Sequence, residues 1–208
     1  MQKLYDITPP ITPNLAVWPG DTPPSRELLL DINRGDNITL STLRATVHLG
    51  AHADGPNHYG KAAPAIHERS LEYYLGPCQV IRVSVPLAAR IMPDQVKEQI
   101  TAPRVLFATG TCPDPTNWNE DFAALSPELI DMLSAKGVIT VGIDTPSVDL
   151  FSSKDLPSHH AILSHDMAIL EGLVRTDVPD GRYELIALPL PLVTFDASTT
   201  SAAIRTIV

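Results

Sequence analysis

This chain of 208 residues has only two cysteines, Cys78 and Cys112, and no Cys-x-x-Cys pair. That excludes a disulfide framework, and both thiols are expected to pack as small reduced hydrophobes. Basic residues are also scarce: 15 lysines and arginines stand against 24 aspartates and glutamates, for a formal net charge of −9. So acidic a chain is a poor partner for nucleic acid or for an anionic membrane surface. No stretch approaches the roughly 18 consecutive apolar residues of a membrane span, and the opening Met1-Gln-Lys-Leu-Tyr-Asp-Ile-Thr-Pro-Pro lacks the apolar core of a secretion signal. A cytoplasmic protein is the expectation. Internal repeats and low-complexity segments are absent too, and the 20 prolines are spread from Pro9 to Pro191 rather than gathered into a linker. With 44% hydrophobic and 19% charged residues, the chain reads as a single domain over 1–208.

What is present is concentrated in one place. The run His48-Leu-Gly-Ala-His52-Ala-Asp54-Gly-Pro-Asn-His58 puts three imidazoles and a carboxylate within eleven residues. Imidazole and carboxylate are the donors that zinc, manganese and iron select, and a cluster without cysteine points to catalytic rather than structural use of a metal. Helical His-Glu-x-x-His sites also space two histidines four apart, but Gly50, Gly55 and Pro56 make this segment a poor helix. The β-branched residues of 38–47 predict that the cluster begins at the end of a strand. Four residues of strand span roughly 13 Å, too far for two donors to one ion, so the chain must fold back, most cheaply at Gly50 or at Gly55-Pro56. Cluster residue His58 lies beyond proline and asparagine, and is either a ligand or an acid or base beside the metal.

Further candidates lie downstream. Pro157-Ser-His159-His160-Ala-Ile-Leu-Ser-His165-Asp166-Met-Ala-Ile-Leu-Glu171-Gly172 carries three histidines and a glutamate in an apolar setting, and a carboxylate there needs a cation unless it is exposed at a strand end. In one straight helix, His160 and Glu171 would stand about 16 Å apart. A break near Asp166 is therefore required if both ends of this segment are to meet. Asp144, after an apolar run, is either a site residue or a turn cap.

Strand-like runs occupy residues 28–32, 38–47, 78–85, 104–109, 138–143 and 183–188. The clearest helix covers 126–136, with Ser126 as cap, Pro127 in the first turn, Glu128 and Asp131 near the positive end of the dipole, and Gly137 as terminator. Residues 66–74 and 93–100 are weaker helical candidates. A helix leading directly into a strand at 138–143 predicts a mixed α/β domain with a substantial sheet and no regular βαβ repeat.

These residues, with Ala16-Val-Trp-Pro-Gly-Asp-Thr-Pro23, Gly142-Ile-Asp-Thr-Pro-Ser147, Ala168-Ile-Leu-Glu-Gly-Leu-Val174 and Gly181-Arg-Tyr-Glu-Leu-Ile-Ala-Leu-Pro-Leu190, carry a resemblance. The chain resembles the bacterial kynurenine formamidases (arylformamidases) of the metal-dependent cyclase-like hydrolase family, nearly end to end. The resemblance implies a compact α/β domain on a mixed, barrel-like sheet flanked by a few helices, assembled as a homodimer. It implies two zinc ions per subunit, which manganese or cobalt could replace: His48, His52 and Asp54 on one, His159 on the other, with Asp54 and Glu171 bridging. It further implies His58 as proton donor and acceptor, Trp18 at the substrate, and N-formyl-L-kynurenine, a small molecule of tryptophan breakdown, as the substrate. Related enzymes act on other aryl amides or on cyclic substrates such as isatin. A protein that only binds metal, or a metal-free acid–base enzyme using His58 with Asp54, would carry the same histidine run.

Overall fold

Short apolar runs of valine, isoleucine and leucine form the middle of a sheet because strands packed on both faces leave no side for polar residues. The computed structural model describes residues 2–174 and 178–207. Its strands are β1 (Leu4–Asp6), β2 (Ser25–Leu30), β3 (Leu40–Arg44), β4 (His52–Asp54), β5 (Leu75–Arg82), β6 (Arg90–Ile91), β7 (Arg104–Ala108), β8 (Ala124–Leu125), β9 (Thr140–Ile143), β10 (Ala168–Glu171), β11 (Gly181–Ile186), β12 (Ala197–Thr199) and β13 (Ala203–Thr206). Helices α1 (Pro127–Ala135) and α2 (Pro157–Ser164) complete the set, with several single 3-10 turns. Nine strands form one curled sheet in the order β1-β13-β11-β5-β7-β9-β10-β4-β12. Its centre, β5-β7-β9-β10, is parallel, and both flanks are antiparallel. The expected α/β architecture is thus present, with two βαβ crossovers, β7-α1-β9 and β9-α2-β10, embedded in a mixed sheet.

Period-2 alternation divides the core. Leu106 and Leu170 point into one apolar cluster with Ala51 and Ala53, whereas Val105, Phe107, Val141 and Ile169 point into another with Leu129, Ile130 and Leu133 of α1 and Ile162 of α2. Burying each such leucine or isoleucine is worth about 2 kcal/mol. The local signals of α1 hold as read: the Ser126 hydroxyl accepts the Leu129 amide at 3.1 Å, and Gly137 takes φ +80° just past the end.

Three expectations are corrected. Residues 38–47 shorten to β3, which pairs only with β2 in a hairpin whose side chains are exposed or half-exposed, so β propensity there forms an outlying arm and not a core strand. Residues 66–74 form two 3-10 turns, Ile66–Glu68 and Leu71–Tyr73, because Ser70 caps the second turn and interrupts any longer helix. Residues 93–100 keep one turn, Pro93–Gln95. The remaining predicted strands appear with ends shifted by a few residues as β2, β5, β7, β9 and β11. Among the described residues, no helix is long and apolar enough to cross a membrane.

Candidate metal centre

The histidine-rich run is partly strand. His52 and Asp54 lie two residues apart on β4, so they share a face, and Ala53 between them enters the opposite apolar cluster. β4 pairs antiparallel with β10 in a register that sets Glu171 directly across from His52. His48 arrives from a bend before β4, and the reversal predicted at Gly50 or Gly55-Pro56 occurs at Gly50, with φ +57°. Gly172, with φ +64°, closes against it: a Cβ at position 172 would lie 2.1 Å from the Gly50 carbonyl oxygen. Only glycine lets the end of β10 approach the reversal this closely. The required break near Asp166 is also present, since α2 ends at Ser164 and Asp166 takes φ +51° before β10 begins. That break lets His159, near the start of α2, and Glu171, at the end of β10, reach one place.

His159 Nε2 lies 3.6 Å from Asp54 Oδ2 and 3.7 Å from Glu171 Oε1. His52 Nε2 lies 3.3 Å from Glu171 Oε2 and 3.5 Å from Asp54 Oδ1, and His48 Nδ1 lies 3.1 Å from Asp54 Oδ1. Donor atoms of His52, Asp54 and Glu171 fall within 4.8 Å of one another, as do those of His48, Asp54 and His58. Asp54 belongs to both groups. Its oxygens and His52 Nε2 are buried yet receive no hydrogen bond of acceptable geometry. Asp54 and Glu171 are 2% and 3% exposed; Glu171 Oε1 accepts the Val148 amide at 2.7 Å, but the unpaired buried atoms of Asp54 and His52 are expensive, so the donor set fits a divalent cation.

The imidazoles are oriented from outside. His52 Nδ1–H donates to the Gly50 carbonyl at 2.9 Å, leaving Nε2 to face the carboxylates. His159 Nδ1–H donates to Asp149 Oδ2 at 2.8 Å, and Asp149 also accepts the Ser158 and His159 amides at the start of α2 and pairs with Arg90. Burial opposes the charge of His48, His52, Asp54 and His159, but their opposite partners win. The imidazoles of His159, His48 and His52 hold the Asp54 carboxyl well below the usual range. Asp149 and Asp54 push His159 up to about 10, and Asp54 with Asp196 pushes His48 up to about 9. This is the field of buried anions that favours a cation in their midst.

The centre lies in a cavity of about 450 Å³, within the usual range for small-molecule sites. Trp18 forms one wall with its ring 5.3 Å from Trp118 and 5.0 Å from Phe151. His58 reaches the same cavity, its ring 4.3 Å from that of His48. Asp144 lines it too, but its oxygens accept from the Thr109 amide and hydroxyl and the Gly110 amide, which makes it the fastener of the loop after β7. His160 is exposed on α2, and His165 pairs with Asp131 of α1, away from the centre. Sequence reasoning missed Asp149, Asp196 and Trp118. Asp149 had a signal, an aspartate in an apolar stretch ahead of a helix, whereas Asp196 had none.

A family described as putative cyclase matches residues 5–150. Kynurenine formamidases of Bordetella petrii and Bordetella pertussis are 42% and 43% identical over 207 residues, covering 99% of this chain and 99% of each relative. The solved structure of a potential metal-dependent hydrolase with cyclase activity superimposes with a TM-score of 0.84 at 26% identity, covering all of both chains. The chain therefore belongs to the cyclase family of metal-dependent hydrolases and is a relative of the bacterial kynurenine formamidases.

Proposed function

We propose that the chain is one hydrolase domain over 1–208 that converts N-formyl-L-kynurenine and water to L-kynurenine and formate. The observation that carries this reading is the pair of buried carboxylates, Asp54 and Glu171, facing His52 and His159, with His52 Nε2 and both Asp54 oxygens unsatisfied, at the foot of an aromatic-walled cavity. Identity of 42% and 43% to kynurenine formamidases, over 99% of this chain, supports that choice of substrate.

His48, His52 and Asp54 would hold one zinc ion and His159 a second, with Asp54 and Glu171 shared between them; manganese or cobalt would accept the same donors. Zinc bound there supplies a Lewis acid for the formyl oxygen and a positive charge that makes nearby water more acidic. Trp18 packs on the aryl ring and, with Trp118, keeps bulk water from that side of the amide. As the C–N bond breaks, the nitrogen must gain a proton to leave as a neutral amine, and His58 hands it over from within the cavity. The formyl group is the smallest acyl group, so side chains crowded about the two carboxylates exclude larger amides. The reading extends to a cytoplasmic homodimer, for which the exposed leucines of β2 and β3, Leu29 and Leu43 among them, offer apolar surface.

The test is the appearance of kynurenine, followed by absorbance, from metal-stripped protein with and without added zinc. Zinc-dependent turnover is expected. Absence of turnover in folded, zinc-loaded protein would overturn the reading, and cleavage of isatin instead would move it to a cyclic substrate.

A further inference from the structure

Asp196 immediately precedes β12, and its backbone is fixed against the centre from two sides. Its carbonyl oxygen accepts the Gly55 amide at 2.7 Å, and the neighbouring Phe195 carbonyl accepts the Ile66 amide at 3.1 Å. β12 pairs with β4 so that Ala197 stands across from Asp54. The main chain thus holds the Asp196 side chain between the bend that carries His48 and the turn that carries His58.

One oxygen serves both rings. Asp196 Oδ2 lies 3.1 Å from His48 Nε2 and 3.3 Å from His58 Nδ1. The contact with His48 is a hydrogen bond, and because an ionised carboxylate only accepts, His48 Nε2 is the atom that carries hydrogen, while His58 Nδ1 stands at ion-pair distance from the same oxygen. For His48 this leaves Nδ1, the atom that faces Asp54 at 3.1 Å. For His58 the carboxylate stands beside Nδ1, on a ring that lines the cavity, and so favours hydrogen on Nδ1 over Nε2. Asp196 itself is in neither group of donors gathered within 4.8 Å, and its side chain is 46% exposed, unlike the buried carboxylates of the centre.

We infer that Asp196 is a positioning residue: it holds His58 by the Nδ1 hydrogen with Nε2 available to the substrate nitrogen, and sets His48 with Nδ1 towards Asp54. The inference rests on the proposed role of His58 as proton donor. A donating imidazole carries hydrogen on both nitrogens, and when Nε2 gives its proton away the remaining hydrogen must stay on Nδ1. A carboxylate at Nδ1 favours both states and prevents the ring from turning, the same logic by which a buried aspartate orients a catalytic imidazole.

The test uses Asp196→Asn and Asp196→Ala in the full chain, with metal per chain, kcat and KM measured together. The ring of His58 is also read by 15N NMR, its signals assigned by their loss in His58→Gln. The expected result is a kcat lower by about 10- to 100-fold with KM within about twofold. At saturating zinc the metal content stays at the wild-type level, although affinity falls as His48 loses its support, and His58 passes from a fixed Nδ1–H form to a mixture of tautomers. Unchanged kcat in both variants overturns the inference, as does an unaltered His58 tautomer. Metal still absent at saturating zinc, in step with activity, would instead make Asp196 a ligand. Should the wild-type protein, loaded with metal, hydrolyse no formamide, the functional reading fails by itself and the NMR comparison alone decides the positioning.

Discussion

Oδ2 of Asp149 lies 2.8 Å from Nδ1 of His159, while its other oxygen lies 2.7 Å from Nη1 of Arg90. A fully buried carboxylate therefore fastens the ring and the first turn of α2 together, and Nε2 of His159 is left facing Asp54 and Glu171. Asp149→Asn keeps the volume and loses the charge. Metal affinity in a chelator competition should fall by about 10- to 100-fold. Stability should fall by about 1–3 kcal/mol as Arg90 loses its anionic partner while keeping its hydrogen bonds to the Leu125 carbonyl and the Ser158 hydroxyl. Unchanged affinity would show that His159 needs no such support.

Gly172 and Gly137 both hold positive φ, but only the first has no room. A methyl group at 172 would meet the Gly50 carbonyl at 2.1 Å, whereas nothing lies within 4 Å of one at 137. Gly137→Ala should therefore cost about 1 kcal/mol for backbone strain alone. Gly172→Ala should cost at least about 3 kcal/mol and reduce metal content, since the end of β10 must move and Glu171 with it. Equal melting temperatures for the two variants would contradict this account.

Metal removal should be visible without any substrate. A ligand that binds the folded chain and not the unfolded one stabilises it by about 2.7 kcal/mol at a hundredfold excess over its dissociation constant. Stripping the protein with a chelator should lower its melting temperature, and zinc should restore it. His52→Ala should abolish that zinc-dependent rise. A zinc response retained in the variant would remove His52 from the centre.

Tyr74 provides an alkaline signature of the core. Its side chain is fully buried, and that burial, partly offset by Arg69, pushes its pKa up to about 12. The folded value exceeds the unfolded one near 10, so the native state retains the proton longer. Stability is complete below pH 10 and declines as pH rises towards 12, by up to about 2–3 kcal/mol. Urea denaturation at pH 9 and pH 11 should show this slope in the wild type and a shallower one in Tyr74→Phe.

Legibility in the sequence followed the range of the forces involved. α1 could be read residue by residue because Ser126, Pro127 and Gly137 act within a turn of where they stand. β4 could not, because Gly55 and Pro56 make it look like loop and its strand character comes from pairing with β10 and β12. Residues 38–47 misled in the opposite sense: β-branched side chains gave β3, but nothing in the run showed that the strand would stand outside the core. Within the candidate centre, His48, His52, Asp54 and Glu171 were legible as metal-type donors out of place among apolar or glycine-rich neighbours, whereas only the family resemblance favoured His159 over His160. Asp149 and Asp196 act through partners 10 to 148 residues away, and no local pattern announces such a contact.

The β4–β10 seam also bears on how the molecule is made. Residue 52 waits for residue 171 to meet it across that seam, and both wait for β9 to give β10 its place in the sheet. Contacts so distant along the chain form late and require much loop closure. A nascent chain that has emerged only as far as the histidine-rich run holds three imidazoles and one carboxylate without their opposite wall. On the proposed metal reading such a chain lacks His159 and Glu171, so a metal would be captured at the end of folding, as a seal on the finished sheet rather than a template for it.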